Sequence, residues 1–254
     1  MKRYTLYILV ILIACLIPGG VCAQTALDYF GGELSSGSYK LVGNTAPFMP
    51  YNIPANSSVV INLNGYTLDA EGTMRLFVLN SNSTLKIIGR GTIKGGNAGT
   101  QNGGAIYSKG GTLIVEGNDS IVFEKNKAVS GGAIYMEGGG ECIIKNCIIK
   151  DNYAQINGGG IFTGVKTTIS DSKILGNRAM SSITPSTPLG NQYGRGGGFC
   201  FTGEMAELIN TQVQGNAAMM YGGGGQIESG GTLTFNDGCE ISYNTSIAGG
   251  AAGL

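Results

Sequence analysis

A double glycine followed by a small residue and then an apolar one recurs along this chain, and it constrains the fold more than any other feature. One clear copy is the sequence Gly-Gly-Ala-Ile-Tyr at positions 131–135. Successive copies lie 28, 27, 38, 27 and 26 residues apart and start at Gly103, Gly131, Gly158, Gly196, Gly223 and Gly249. A period of this size is typical of a solenoid, in which each repeat forms one coil that stacks on the next.

Further columns of residues recur with the glycines. The last part of each repeat ends on an asparagine: Asn126, Asn152, Asn177, Asn216 and Asn244. Three positions earlier stand Phe123, Ile149, Ile174, Val213 and Ile241, and five positions earlier stand Ile121, Cys147, Ser172, Thr211 and Cys239. Because alternate residues of a strand face the same side, these two columns predict its inward face. The asparagine suits a turn in which identical amides hydrogen-bond from coil to coil.

The repeat therefore predicts the fold class directly. We expect an all-β chain that forms a single-stranded right-handed parallel β-helix, with about three short strands per coil and coils stacked about 4.8 Å apart. The 38-residue interval indicates one coil with an insertion, which we expect to be a surface loop at 181–193. The expected organisation is a signal peptide at 1–23, an N-terminal cap or first coil at 24–57, and the β-helix at 58–254.

The first 23 residues have the organisation of a signal peptide. Lys2 and Arg3 precede an apolar run from Leu6 to Ile17, and small residues lead to a cleavage position after Ala23. The run has 12 residues, fewer than the roughly 20 that cross a bilayer. A second interpretation makes Cys15 the lipidated residue of a lipoprotein signal. Both interpretations predict an exported protein, either secreted or held at the cell surface.

Composition narrows the classes of partner. Sixteen basic and sixteen acidic residues cancel, so we expect no binding to nucleic acid or to an anionic membrane surface. No second apolar run is long enough for a transmembrane span after signal removal. The spacing of the mature cysteines matches no common zinc or disulfide framework, so we expect no metal and no cofactor. Pairing stays open for Cys142, Cys147, Cys200 and Cys239.

The repeat resembles a known family. The glycine pair with Ala-Ile, together with Phe-Glu-Lys-Asn-Lys-Ala at 123–128, resembles the repeat of the polymorphic outer membrane proteins of the chlamydial type. The chain is also similar to the broader right-handed β-helix repeat proteins that bacteria export. The resemblance covers about Gly103 to the end, although later copies have Ile or Val in place of Phe123. It implies an adhesin-like passenger at the cell surface or outer membrane, with glycans or surface proteins of a host or partner cell as partners.

The end of the sequence carries two further expectations. The last copy of the repeat opens at Gly249, and Leu254 falls before that coil would be complete. One interpretation is therefore a passenger truncated at its C-terminus. An uncovered last coil would leave backbone groups open for strand pairing, so we also expect end-to-end self-association.

An enzyme is the alternative to a binding scaffold, because parallel β-helices often form polysaccharide lyases and glycoside hydrolases of the pectate-lyase-like class. Hydrolysis needs two carboxylates about 5 to 10 Å apart, yet no aligned column places acidic residues on neighbouring coils. The chain has no histidine. The nearest lyase-like set is Asp151, Asp171 and Lys150, which is more typical of a solvated surface. An enzyme is therefore the less favoured class, and no catalytic residue is assigned.

The strand after the glycine pair supplies the candidate binding site. If Ile106, Ile134 and Ile161 point inward, aromatic residues on three consecutive coils point outward: Tyr107, Tyr135 and Phe162. We expect small residues to flank them on the outer face, namely Ala105, Ala133, Gly160 and Gly198. Such a strip of rings could stack on sugar rings or dock a partner protein. The competing interpretation is that the rings only stabilise neighbouring strands.

Overall fold

The computed structural model of the protein describes residues 24–180, 194–203, 205–228 and 230–247. Within these ranges the regular structure consists of 26 strands and no helix. The strands pair in parallel and stack into a β-solenoid of about seven turns, so the predicted parallel β-helix is confirmed. The predicted signal peptide at 1–23, the predicted loop at 181–193 and the residues after 247 lie outside the described residues.

The strands form three sheets that run along the solenoid. The 13-stranded sheet contains β1 (Thr25–Ala26), β3 (Gly37–Lys40), β5 (Ser58–Asn62), β6 (Thr67–Asp69), β8 (Thr84–Lys94), β10 (Thr112–Glu124), β13 (Glu141–Lys150), β16 (Lys166–Ser170), β17 (Lys173–Leu175), β20 (Met205–Ile209), β21 (Gln212–Gln214), β24 (Thr232–Phe235) and β25 (Glu240–Ser242). The eight-stranded sheet contains β2 (Gly32–Glu33), β4 (Tyr51–Ile53), β7 (Phe77–Leu79), β9 (Ile106–Lys109), β12 (Ile134–Glu137), β15 (Ile161–Thr163), β19 (Phe199–Thr202) and β23 (Gly225–Glu228). The five-stranded sheet contains β11 (Lys127–Ala128), β14 (Tyr153–Ala154), β18 (Arg178–Ala179), β22 (Ala217–Ala218) and β26 (Thr245–Ser246).

The predicted inward columns form the core. Phe123 pairs with Ile149 across the coil boundary, and Ile149 pairs in turn with Ile174. The column continues through Val213 to Ile241. The first four of these side chains are almost completely buried, and Ile241 packs against the core from a partly buried position. The period-two alternation of the sequence therefore gave the correct inward register.

The repeated asparagines form the expected amide ladder. The Nδ2 group of each donates to Oδ1 of the next, from Asn126 to Asn152 at 2.9 Å and from Asn152 to Asn177 at 2.9 Å. The same pattern continues to Asn216 and Asn244 at 3.0 Å per step. From Asn152 onward, each Oδ1 also accepts the backbone N–H of the asparagine one coil earlier. A side chain that is buried at the turn is thereby fully hydrogen-bonded.

The N-terminal strands continue the same stack. The strand β3 pairs with β5, and β4 pairs with β7, so residues before Ser58 contribute strands to the two larger sheets. Tyr51 and Ile53 are fully buried in the common core. The apolar core is therefore continuous from this segment into the later coils.

The glycine pairs mark a corner where two coils approach closely. A Cβ atom at Gly132 would lie 2.1 Å from the carbonyl oxygen of Gly159 in the next coil. The preceding glycine, Gly131, has a positive φ of 63°, a conformation that residues with a side chain adopt rarely. The register also places one copy at Gly222-Gly223, one residue earlier than the sequence spacing indicated. Coil packing at this corner therefore requires glycine at both positions.

Candidate functional site

The three predicted aromatic residues form one row on the eight-stranded sheet. Tyr135 pairs with Tyr107 on one side and with Phe162 on the other. The ring centroids of Tyr107 and Tyr135 are 5.7 Å apart at an interplanar angle of 17°, and those of Tyr135 and Phe162 are 4.7 Å apart at 7°. We call these three residues the aromatic row. The predicted alignment of these three residues on consecutive coils is therefore observed, and their role in binding stays a prediction.

One carboxylate fixes two of the rings. The hydroxyl of Tyr107 donates to Oε1 of Glu137 at 3.1 Å, and the hydroxyl of Tyr135 donates to Oε2 of the same residue at 2.9 Å. Burial raises the pKa of both phenols, and the Glu137 carboxylate raises each pKa further. Both hydroxyls therefore remain protonated donors over the neutral range, and the rings are held in fixed orientations.

The stacking leaves ring edges, and not ring faces, at the surface. Near-parallel rings on successive coils cover each other's faces, and only 8% of Tyr135 is exposed. Such stacking stabilises neighbouring strands by a few tenths to about 1 kcal/mol per pair. A sugar ring has no free face of Tyr135 on which to stack. Contact with a ligand along this row must involve the ring edges and the groups at its two ends.

The expected small residues beside the row are not on the outer face. Ala105 and Ala133 are fully buried, so this part of the sequence interpretation is wrong. The physical reason is the corner: the N–H groups of Ala105 and Ile106 both donate to the carbonyl oxygen of Ala133. The chain therefore turns at Ala105, and the alternation of inward and outward side chains starts only at Ile106.

One end of the row meets a buried thiol. Phe162 pairs with Cys200, which is fully buried, and burial raises the pKa of its thiol. Burial likewise raises the pKa of Cys142 and Cys147 to about 12. The four cysteines among the described residues are free in the structure. A thiol with such a high pKa is a poor nucleophile near neutral pH, so these three cysteines serve as small core residues.

The other end of the row meets a cation that the sequence interpretation missed. The guanidinium of Arg75 lies over the ring of Tyr107, with Cζ 4.8 Å from the ring centroid. Its Nη2 donates to Oε1 of Gln101 at 2.6 Å. Burial lowers the pKa of Arg75, although Arg75 remains charged because the usual value is above 12. The aromatic row therefore ends in a fixed, half-buried positive charge.

A cleft opens beside this cation. It has a volume of about 410 Å³ and is lined by Pro50, Thr73, Met74, Arg75, Val78, Asn97, Ala98, Gly99 and Gln101. The segment Ala98–Gln101 turns back on itself, since the N–H of Gln101 donates to the carbonyl of Ala98 at 3.0 Å. We call this the corner cleft. Its lining is mainly small, apolar or amide side chains around a single charge.

The sequence contained a signal for this cleft. The pair at 74–75 stands three and two places before β7, the positions that glycines occupy before β9. The N–H groups of Leu76 and Phe77 both donate to the carbonyl of Ala105, the pattern that the following coil repeats. Met74 and Arg75 therefore replace the glycine pair. A break in a repeat marks a position where a side chain serves a purpose other than coil packing.

The lyase-like residues are separately engaged and do not converge. The Lys150 ammonium pairs with the Glu124 carboxylate at 3.1 Å, and Oδ1 of Asp171 accepts from Nδ2 of Asn210 at 2.9 Å. Asp151 is exposed at a turn with a positive φ of 53°. In the part of the chain that the structure describes, no group of three or more His, Cys, Asp or Glu side chains could hold a metal ion.

The fold and its outer face define a β-solenoid repeat protein with a fixed aromatic row. Residues 120–137, which run from the end of β10 through β11 into β12, match the family model of the Chlamydia polymorphic membrane protein repeat. The chain is thus a β-solenoid repeat protein, and its residues 120–137 are similar to the polymorphic membrane protein repeat. No curated protein sequence and no solved structure matches it. Among the described residues, no helix is long and apolar enough to span a bilayer.

Proposed function

We propose that the protein is exported and acts at the cell surface as an adhesin-like scaffold that binds glycans or surface proteins of a host or partner cell. The aromatic row carries this proposal, because it presents a continuous column of rigid ring edges over three consecutive coils. Repeats of the polymorphic membrane protein type support a surface location. The residues at 1–23, with their signal-peptide organisation, support export.

The geometry suits binding because contact with a ligand would immobilise few side chains that are not already fixed. Each ring lies on a strand that is hydrogen-bonded to both neighbours, and Glu137 fixes two hydroxyl groups. A preorganised surface avoids the cost of about 0.5–1.5 kcal/mol for each flexible side chain that binding would otherwise immobilise. A solenoid also repeats one contact column per coil, which favours extended ligands such as glycan chains or strands of a partner.

Binding is favoured over glycan cleavage. The exposed acids Asp151 and Asp171 lie on separate turns, and Asp171 is hydrogen-bonded to an amide. Nothing in their arrangement pairs a general acid with a nucleophile or with a basic proton acceptor. A polysaccharide lyase or glycoside hydrolase therefore stays the alternative, and release of reducing ends from polysaccharides would reveal it.

The test is binding of residues 24–254 to host cells and to a glycan array. We expect the double substitution Tyr107→Ala and Phe162→Ala to lower binding about tenfold, the typical result of removing two interface aromatics. Tyr66→Ala is the matched control, because Tyr66 is an exposed tyrosine outside the row. The melting temperature of each variant shows whether the solenoid is intact. Equal binding by the folded double variant, or no binding by the parent protein, would contradict the proposal.

A further inference from the structure

The geometry points to the corner cleft as a binding site for the carboxylate of an acidic sugar, with Arg75 as the anion-binding residue and Gln101 as a second donor. This inference rests on the proposed function as a binding scaffold, and it names the chemical class of the ligand. Its two donors lie outside the aromatic row: Arg75 is on the coil before the row, and Gln101 precedes β9 on the coil that carries Tyr107.

The corner position of Arg75 has room for a side chain, unlike the equivalent position in the next coil. Before β9 the same place is held by Gly104, where a Cβ atom would lie 2.1 Å from the carbonyl oxygen of Gly132 and 2.7 Å from the backbone nitrogen of Lys127. Around Arg75 the equivalent neighbour is the segment 97–101, which leaves the cleft open. The structure thus makes room for a long cationic side chain where later coils admit none.

The charge on Arg75 is not balanced locally. It is the only charged residue that lines the cleft. No carboxylate among the described residues forms an ion pair with it, whereas Lys86, Lys94 and Lys150 all have acidic partners. A cation that is withdrawn from water without a counter-ion gains more from an incoming anion than an exposed cation does. The cleft is therefore complementary to a negatively charged ligand.

The polar side chains that line the cleft fall into two groups: those already hydrogen-bonded within the fold, and those that can donate to a ligand. The Nδ2 of Asn97 donates to the carbonyl of Gly72 and the hydroxyl of Thr73 donates to the carbonyl of Ala70, so both are used within the fold. The amide oxygen of Gln101 faces Arg75, which directs its NH₂ group away from the guanidinium. Arg75 and Gln101 are consequently the two side chains that offer N–H donors to a bound molecule.

The single planar cation favours a carboxylate. Tyr107 lies under the Arg75 guanidinium, and Gln101 accepts a hydrogen bond from one of its nitrogens, so the plane of the guanidinium is fixed. A guanidinium binds a carboxylate through two parallel hydrogen bonds. A phosphate carries up to two charges and usually requires further cations or a cluster of backbone N–H groups, which this lining does not supply.

The walls of the cleft favour a sugar as the carrier of the carboxylate. Pro50, Met74, Val78 and Ala98 supply apolar surface for the C–H face of a pyranose. The volume of about 410 Å³ lies at the low end of the range of about 300–1,000 Å³ for small-ligand sites, which suits one or two sugar units. A hexuronic acid presents both the carboxylate and the apolar ring face that this combination requires.

The experiment compares a uronic acid with its neutral counterpart. Binding of methyl glucuronide and of methyl glucoside to residues 24–254 is measured by ligand-observed NMR titration. We expect the glucuronide to bind at least about tenfold more tightly, because hydrogen bonds between charged groups are stronger than those between neutral groups. Arg75→Gln should remove this preference, and Arg75→Lys should restore only part of it because an ammonium cannot form the fork.

Matched controls make the result specific. Arg90→Gln makes the same change of charge at an exposed arginine, whose guanidinium is 3.7 Å from the Asp119 carboxylate, and it should leave glucuronide binding unchanged. Glucose 6-sulfate tests whether any anion is accepted, and N-acetylaspartate tests whether the carboxylate alone suffices. Both should bind more weakly than the glucuronide.

Several outcomes would overturn the inference. These are unchanged glucuronide affinity in Arg75→Gln, equal affinity for the neutral glucoside, and equal affinity for the sulfate or the aspartate derivative. The two proposals also fail separately. Cell binding without glucuronide binding would refute the cleft site alone, while glucuronide binding without cell binding would refute the proposed function alone.

Discussion

The corner before the eight-stranded sheet differs between the first three strands of that sheet and the later five. Before β2, β4 and β7 the two positions hold Tyr29-Phe30, Phe48-Met49 and Met74-Arg75. Before β9, β12, β15, β19 and β23 they hold glycine pairs. The later corners are closed against any side chain, whereas the first three hold large side chains, of which the four on the first two coils are exposed and Met74 packs partly against the core. The same turn of the solenoid thus serves coil packing in one region and presents a surface in the other.

The first-coil side chains are exposed but ordered. The rings of Tyr29 and Phe30 stack with centroids 4.4 Å apart, and Phe48 packs against Tyr29 at 5.6 Å. The backbone holds them together, because the N–H of Phe48 donates to the carbonyl of Tyr29 at 2.9 Å. These aromatic side chains therefore form one ordered group at the corner positions before β2 and β4, on the coils that precede Arg75.

The asparagine ladder follows the same division. It runs over the coils from Asn126 to Asn244, and Oδ1 of Asn126 accepts the backbone N–H of Gly96 at 2.9 Å. The coil before the ladder thus has a glycine where the later coils have an amide. The later coils are fixed at two corners by glycine contacts and by buried amides, and the first coils rely more on their apolar core.

The largest effect is expected from a methyl group at the closed corner. In Gly132→Ala the new Cβ would lie 2.1 Å from the carbonyl oxygen of Gly159 and 2.7 Å from that of Tyr153. Both contacts are with backbone, so the coils must separate, and we expect a loss of about 3 kcal/mol or more in the free energy of unfolding. Urea denaturation followed by circular dichroism measures this loss.

Arg75→Ala is the matched variant, because Arg75 holds the same corner position before β7 that Gly132 holds before β12. We call the part of the chain with large corner side chains the open region and the part with glycine pairs the closed region. The Arg75→Ala variant removes a cation–π contact and one hydrogen bond, so we expect a loss of about 1 kcal/mol or less. Equal losses of unfolding free energy in the two variants would contradict the difference that we infer between the two kinds of corner.

The sequence predicted the closed region far better than the open one. In the later coils the same corner contact recurs and requires the same residue, so glycine and asparagine repeat at a regular interval. This interval gives the period of the solenoid, and the alternation within each strand then predicts that Ile149 points inward. In the first coils the corner residues have no common packing partner and show no repeat. Their equivalence to the glycine pair follows only from strand pairing, which the structure supplies. The turn at Ala105 and the orientation of the rings likewise depend on backbone hydrogen bonds between coils.

An intermediate effect is expected from breaking the ladder. Asn152→Ala removes the acceptor for the buried N–H of Asn126 and the donor to the carbonyl of Phe123. Unsatisfied buried groups cost about 1–3 kcal/mol, so we expect a loss of about 2 kcal/mol. Hydrogen exchange should show faster exchange at the Asn126 amide in particular.

Asn97→Ala is the control for the ladder in the open region. Its side chain bonds the carbonyl of Gly72 and the N–H of Gly99 at the partly exposed rim of the corner cleft. Water can replace both bonds, so the loss should stay below about 1 kcal/mol. A loss as large as that of the ladder variant would show that the first coils also depend on buried amides.

The smallest effect is expected at Phe48. This variant tests most directly whether the exposed corner side chains contribute to stability. The side chain is 73% exposed and contacts mainly the neighbouring aromatic rings, so Phe48→Ala should change the free energy of unfolding by about 0.5 kcal/mol. Phe77→Ala is the matched control, since this phenylalanine is fully buried in the next coil and its loss should cost about 3–5 kcal/mol. Thermal and urea unfolding of both variants measure the difference. If Phe48→Ala lost more than about 2 kcal/mol, the open corner would be a packing element like the glycine pairs. A near-neutral result would leave a large exposed ring that stability does not require, on the coil before the one that carries Arg75.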